Sequence, residues 1–448
     1  MKIGHPIRIL QFGEGNFLRA FAGWMVDITN EKTGFDGSIA IVKPRPGKNW
    51  KTAFYNQDCN YTVTLRGLVD AKPTETSRLI TSVAEVLDPC EDYDRILELA
   101  CSEDLQFIIS NTTESGISCS DEDDMSGIPP VSFPAKLTKL LLERWTAFRG
   151  IHDQHGLSIL PTELIGRNGD MLKSCVLQTA LRWNLPEEFC SWVDTGCYFC
   201  NTLVDRIVTG HEKDSPDPLQ VAAEPYAFWA IEDRLGILTE RFPLQQAGLP
   251  VCFVSDIDPY QERKVRILNG AHTGFVPFAL LHGYTYVNET MNDPRFEGFV
   301  QMMLREEVIP TLTLPRTELE RFARDVLERF RNPFINHALI DIAQNSVMKW
   351  GTRCLPSLLD YYDFTKKLPV RLAASLAALL AFYSGPHRNL LHDDPSILTF
   401  FEQIEGNSAE FRTARFFERF YDGALCAIPG LAEKVSEELA ALEAALPA

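Results

Sequence analysis

The sequence predicts an α/β N-terminal domain over residues 1–255, followed by a mostly α-helical C-terminal domain over residues 256–448. Short apolar runs alternate with helical patterns as far as about residue 255. A glycine-rich turn separates the first strand from the first helix. After Pro259 the strand signals stop and long amphipathic stretches take over.

Ile7 to Phe12 reads as a short strand, apolar apart from Arg8 and Gln11. It runs into Gly13-Glu14-Gly15-Asn16-Phe17-Leu18-Arg19, the strand–turn–helix context of a Rossmann-like dinucleotide site. Gly13 permits the tight turn, and Gly15 lets backbone approach a pyrophosphate at the helix N-terminus. Leu18 stands where the third glycine of the usual fingerprint would be. Arg19 could neutralise phosphate or be an ordinary helix-surface arginine. Ile39 to Val42 and Phe107 to Ile109 read as buried parallel strands, Tyr61 to Leu68 as an extra one, and Leu157 to Leu160 and Val251 to Val254 as two more. The expected helical stretches of the second half are 260–282, 293–309, 316–330, 334–349, 368–383 and 430–446.

Composition fits a large globular protein: 448 residues, 45% hydrophobic and 23% charged, with a formal charge of −18. That charge argues against a nucleic-acid partner, and an anionic substrate would need a local cationic patch. The longest apolar run, Leu372 to Phe382, is too short for a bilayer and carries Ser375. No secretory signal is read, and the eleven cysteines are odd in number and scattered, so the expectation is reduced thiols and a cytoplasmic location. Cys197 and Cys200 have C-x-x-C form without a second pair, and are expected to be buried packing. No metal is expected.

The segment from Lys264 to His272 carries the chemistry. It places an amine, an amide (Asn269) and an imidazole within one predicted helix. At roughly 100° per residue, taking Lys264 as zero, His272 falls near 80° and Asn269 near 140°. All three can then face one cleft. The set suits proton transfer to a carbonyl oxygen: a lysine as general acid or base, an amide donating to the alkoxide, an imidazole holding a hydroxyl. The alternative is a surface lysine, a capping asparagine and a satisfied core histidine.

These stretches resemble the mannitol dehydrogenase family of polyol-specific long-chain dehydrogenases. The matches run in family order: Gln11 to Phe21, Ser110 to Gly116, Glu163 to Asp170, Asn201 to Ile207, Ala223 to Tyr226, the K-x4-N-x2-H segment, Asn332-Pro333-Phe334 and Asn345 to Lys349. The opening and the S-N-T-T-E stretch point to a branch acting on a keto-uronate. The resemblance implies hydride transfer between a nicotinamide dinucleotide and a small sugar-acid substrate, with Lys264 as general acid and base and the helical half carrying it to the nicotinamide. It implies that Phe12, Gly13, Gly15, Asn16, Phe17, Arg19, Lys43 and Asn111, Thr112, Thr113 and Glu114 border the cofactor. Asp205 matches a family aspartate near the substrate, or else pairs with Arg206. Lys43, Pro44 and Arg45 would tolerate the 2′-phosphate of NADP, whereas the resemblance implies NAD. Two positions depart from the family: Leu164 replaces an asparagine and Asp341 an arginine. Lys349 and Arg353, four apart, could bind a carboxylate or form a solvated helix end. The alternatives are a different uronate epimer, a neutral polyol, or a non-catalytic dinucleotide sensor. The sequence leaves the oligomeric state open.

Overall fold

The computed structural model describes residues 4–43, 50–113, 115–149, 151–212 and 215–446. It divides into two compact units. One comprises Met1–Arg66 and Thr74–Ile257, the other Gly67–Pro73 and Asp258–Ala448.

The strands are β1 (Ile7–Phe12), β2 (Ser38–Val42), β3 (Tyr61–Val69), β4 (Lys72–Ile80), β5 (Val83–Leu87), β6 (Phe107–Ser110), β7 (Ser158–Pro161), β8 (Tyr198–Phe199), β9 (Thr202–Asp205), β10 (Val208–Gly210), β11 (Val221–Ala223), β12 (Phe228–Glu232) and β13 (Val251–Val254). The main sheet is parallel throughout, in the order β5-β2-β1-β6-β7-β8. That is the doubly wound Rossmann order. Alternate residues of its strands feed two cores. Ile9, Ile39, Ile41, Phe107 and Ile109 pack on one face; Leu10, Phe12, Ala40, Val42 and Ile108 pack on the other. Burial on both faces is why these strands read as continuous apolar runs. Two smaller sheets, β10-β11-β3-β4 and β13-β12-β9, accompany it. Their strands are mostly too short to register as periodic in the sequence.

The cysteines are all free thiols. Cys197 and Cys200 are buried in the two cores, and burial pushes the Cys197 thiol up to about 12. They are packing residues, as expected of C-x-x-C without a partner pair.

The second unit is helical, apart from the tip of the β3–β4 hairpin. Its centre is the helix Val370–Ser384, apolar on nearly every side because it packs against Leu431–Ala445 and Gly270–Leu281. Ser375 within it accepts a hydrogen bond from Trp350 Nε1 at 3.1 Å. The expected helix 334–349 is instead two pieces, Leu339–Ala343 and Ser346–Arg353. Asn345 breaks it: its φ is +56°, and its N–H donates to the Asp393 carboxylate. Four α-helices of the second unit's described residues went unread in the sequence: Val287–Met291, Leu355–Thr365, Pro395–Ile404 and Ala409–Arg419. Pro356 reads as a terminator but sits in the first turn, where proline is tolerated. Among the described residues no helix is long and apolar enough to cross a membrane.

Candidate active-site residues

In a doubly wound sheet, ligands collect at the carboxyl ends of the strands where the order reverses, here β1 and β6. The turn after β1 is tightly built. Gly13 has φ +138° and donates to Val42 O at 2.9 Å. A Cβ on it would stand 2.9 Å from Leu18 Cδ1 and 3.0 Å from Asn111 O, so only glycine fits. Gln11 Nε2 steadies the turn by donating to Gly13 O at 2.7 Å. Gly15 is the opposite case: it is exposed, and nothing lies within 4 Å of where its Cβ would be. The backbone there is open to an incoming group. Asn16 is exposed beside it, while the Phe17 ring stacks on Phe21 at 4.9 Å. Phe12 is buried against Phe133.

Arg19 is not a surface arginine. It is buried, donates to Leu219 O and to Asn16 Oδ1, and lies over the Tyr61 ring. Desolvation lowers its pKa. Its guanidinium therefore acts on the turn through Asn16. Lys43 is 3.5 Å from Glu14 Oε1 and lies over the Trp50 ring. Pro44, Arg45 and Glu114 fall outside the described residues.

The loop after β6 meets this turn. Asn111 N donates to Phe12 O at 2.9 Å, and its side chain donates to Thr162 O at 3.0 Å. Thr113 is exposed with φ +148°. Sequence reasoning gave no role to Glu163, which braces the loop. Its buried carboxylate accepts from Thr112 N and Thr112 Oγ1, both at 2.9 Å, and from Ser110 Oγ at 3.0 Å. Burial raises its pKa against the pull of those donors. The neighbouring Leu164 is 61% exposed. Asp205 ends β9 and is buried. Arg206 donates to Glu224 O at 3.0 Å and to Ala20 O at 2.7 Å, with the Glu224 charge nearby.

In the second unit Lys264 opens a π-helical stretch, Lys264–Asn269, between the α-helices Asp258–Arg263 and Gly270–Leu281. This changes the angular reading made from a uniform α-helix. In an i→i+5 pattern, residues five apart are closer in angle than in an α-helix, so the backbone sets Lys264 and Asn269 nearer to one face than uniform α-helical spacing would. Both are half-buried. Ion pairs from Arg263 to Glu318 at 2.7 Å and from Arg266 to Asp360 at 2.5 Å anchor the stretch.

His272 follows in the next turn. Its ring stacks on Phe330 at 4.1 Å and meets the His337 ring edge-on at 5.6 Å. Its Nε2 is buried with no hydrogen-bond partner. Desolvation, then His337, Arg329, Arg353 and Lys349, drive its pKa well below the ordinary value. The imidazole is thus held neutral, with a ring nitrogen left unpartnered.

The structure brings Lys349 and Arg353 to this place. The helix Gly270–Leu281 begins so close to Arg353 that a Cβ on Gly270 would lie 3.2 Å from Arg353 O. Arg353 donates to Thr273 Oγ1 at 3.3 Å, and Lys349 to Ile342 O at 3.0 Å. Burial lowers the pKa of both, and Arg353 further depresses Lys349. Asp341 is exposed and faces His337. Among the described residues no group of three His, Cys, Asp or Glu side chains could hold a metal.

Comparison with known proteins agrees with this layout. Residues 7–241 match the mannitol dehydrogenase Rossmann domain, and residues 256–442 match the mannitol dehydrogenase C-terminal domain. The chain belongs to the mannitol dehydrogenase family. It is a dehydrogenase acting on a CH–OH group. It is 41% identical to altronate oxidoreductase of Yersinia pestis, covering 97% of this chain and 94% of the relative. Identity to altronate oxidoreductase of Klebsiella pneumoniae (strain 342) is also 41%, over 98% and 95% of the two chains. The fold resembles that of substrate-free D-sorbitol dehydrogenase, with TM-score 0.84, 22% identity and coverage of 99% and 96%. It also resembles the Pseudomonas fluorescens mannitol 2-dehydrogenase ternary complex with NAD and D-mannitol, with TM-score 0.67, 21% identity and coverage of 98% and 92%.

Proposed function

We propose that this family member is an NAD-dependent oxidoreductase that interconverts a keto-uronate and its aldonate, tagaturonate and altronate. The observation that carries the substrate class is the Lys349/Arg353 pair: two half-buried, mutually repelling cations beside a neutral histidine in a chain of charge −18. An incoming carboxylate relieves that repulsion and takes the remaining donors of the Arg353 fork. The identity to altronate oxidoreductases supports the specific pair of sugar acids.

The first unit suits a dinucleotide. The backbone at Gly15 is open, Gly13 shapes the turn, and Asn111 and Thr112 border it. Lys43 is already countered by Glu14, which favours a 2′-hydroxyl over a 2′-phosphate. When bound, the nicotinamide supplies a hydride for reduction and takes one back on oxidation. Lys264 gives a proton from Nζ to the new alkoxide oxygen, and in reverse the neutral amine removes it. Asn269 donates its amide N–H to the same oxygen. His272 uses Nε2 on an adjacent hydroxyl, and Asp205 is assigned to a substrate hydroxyl. The reaction consumes one ketone, one hydride and one proton, and yields one secondary alcohol.

Lys264→Ala tests the assignment. Loss of the proton donor is expected to lower turnover by at least about two orders of magnitude, the ordinary scale of general acid–base catalysis. NADH affinity is expected to stay unchanged. Near-normal turnover would reject Lys264 as the acid and base.

A further inference from the structure

The loop that follows the helix Arg316–Phe330 has no part in the function outlined above, yet it is built with care. Asn332 is buried, and its Oδ1 accepts from Phe334 N at 3.0 Å. Asn288 Nδ2 reaches the carbonyl of Ile335 at 3.3 Å. Val287 N donates to His337 O at 3.0 Å, Ala338 bridges Tyr286 in antiparallel fashion, and Leu339 N donates to Thr285 O at 2.9 Å. The backbone on both sides of His337 is therefore pinned to the segment 285–288. What it presents is one imidazole, edge-on to His272 with ring centroids 5.6 Å apart.

The two rings differ in exposure. His272 has a buried, unpartnered Nε2, while His337 is exposed as a residue. The pair thus runs from the interior towards solvent. A core packing role explains neither the unpartnered nitrogen nor the exposed ring. A neutral imidazole offers one donor and one acceptor, which is what a hydroxyl group also offers. Two imidazoles at this spacing match hydroxyls on neighbouring carbons of an open-chain sugar. Desolvation lowers the pKa of both, at His337 only for the part of the residue that packs inward and against the pull of Asp341, and the nearby cations Arg329, Arg353 and Lys349 further oppose charging His272.

We infer that His337 is a second substrate-binding imidazole, forming with His272 a clamp on two neighbouring hydroxyls of the sugar chain. The inference rests on the proposed sugar substrate and adds the part that selects for a hydroxylated chain. Lys349 and Arg353 take the acid end, and the histidine pair takes the chain between acid and ketone.

The test compares wild type, His337→Ala and His337→Asn on a keto-uronate, on the same compound lacking one chain hydroxyl, and on a neutral ketohexose. His337→Ala is expected to raise KM about tenfold on the hydroxylated substrates, the scale of one neutral hydrogen bond. It should leave kcat within about twofold, because His337 does not handle the reacting proton. The deoxy compound, already poor, should lose nothing further with one of its hydroxyl positions absent. Asn retains a donor and an acceptor and should recover part of the loss. Melting temperature and NADH affinity should not move. An unchanged KM in His337→Ala, or an equal loss on the parent keto-uronate and on the compound lacking the clamped hydroxyl, overturns the clamp. Turnover of the ketohexose alone would defeat the uronate reading while leaving the clamp measurable on that sugar. Turnover of neither would defeat both.

Discussion

His272 shows how much one side chain's surroundings decide. A histidine on a helix is ordinarily a group that charges near neutrality. Here burial and four nearby cationic or imidazole groups hold it uncharged. The sign of the stability effect follows from linkage. Above the ordinary value of 6.5 the imidazole is neutral whether the chain is folded or not, and it contributes nothing to pH dependence. As pH falls below that value the unfolded chain takes up a proton that the folded chain refuses. Stability is then lost progressively, down to the depressed folded pKa. Melting temperatures measured from about pH 7 to about pH 5 should fall more steeply for wild type than for His272→Asn, which cannot bind that proton. Parallel curves would mean that His272 titrates normally. The lysine, amide and imidazole were legible as a set because they lie within nine residues. Their surroundings were not. His337, Arg329 and Arg353 reach His272 only through folding, and no spacing in the sequence announces that. Glu163 was visible as part of a matching stretch, but its three hydrogen bonds arise from β6 and β7 being neighbours in the sheet.

At the scale of elements, two local departures from regular geometry matter most. The π-helical stretch Lys264–Asn269 inserts an i→i+5 repeat where a uniform helix was expected, and it sets Lys264 and Asn269 nearer to one face than α-helical spacing would. Sequence pattern cannot separate π from α over six residues, since both keep an amphipathic face. The second departure is the turn Gly13–Gly15, whose two glycines have different jobs. A side chain at Gly13 would collide with Leu18 and Asn111, whereas one at Gly15 meets no protein atom. Gly15→Val is therefore expected to leave the melting temperature unchanged and to occupy the space a pyrophosphate needs. Loss of even one charge-assisted bond to phosphate would weaken NADH by about tenfold or more. Fluorescence titration measures it, and unchanged affinity would remove the dinucleotide from this turn. The strands of the main sheet were legible where both faces are buried, as in β1, β2 and β6. The two- to four-residue strands β8 to β11 were not, because they are too short to show a period. Ser346–Arg353 was only half visible, since Asn345 breaks the pattern by a left-handed turn fixed by the distant Asp393.

At the scale of the whole molecule, the charge of −18 repels an anionic substrate. Affinity for an acid must then come from a local patch, and Lys349 with Arg353 is the patch beside His272. Membership of the mannitol dehydrogenase family gives the fold and the class of reaction. Under the proposed function, this patch is the part that would separate a sugar acid from a neutral polyol within that class. The measurement that tests this most directly is the ratio of kcat/KM for tagaturonate to that for a neutral ketohexose with NADH, in wild type and in Arg353→Met. Wild type is expected to favour the acid. Arg353→Met is expected to lower the ratio by roughly ten- to a hundredfold, the value of a charge-assisted bidentate contact, with the ketohexose rate unaffected. A wild-type preference for the neutral sugar, or equal losses on both substrates, would contradict the account.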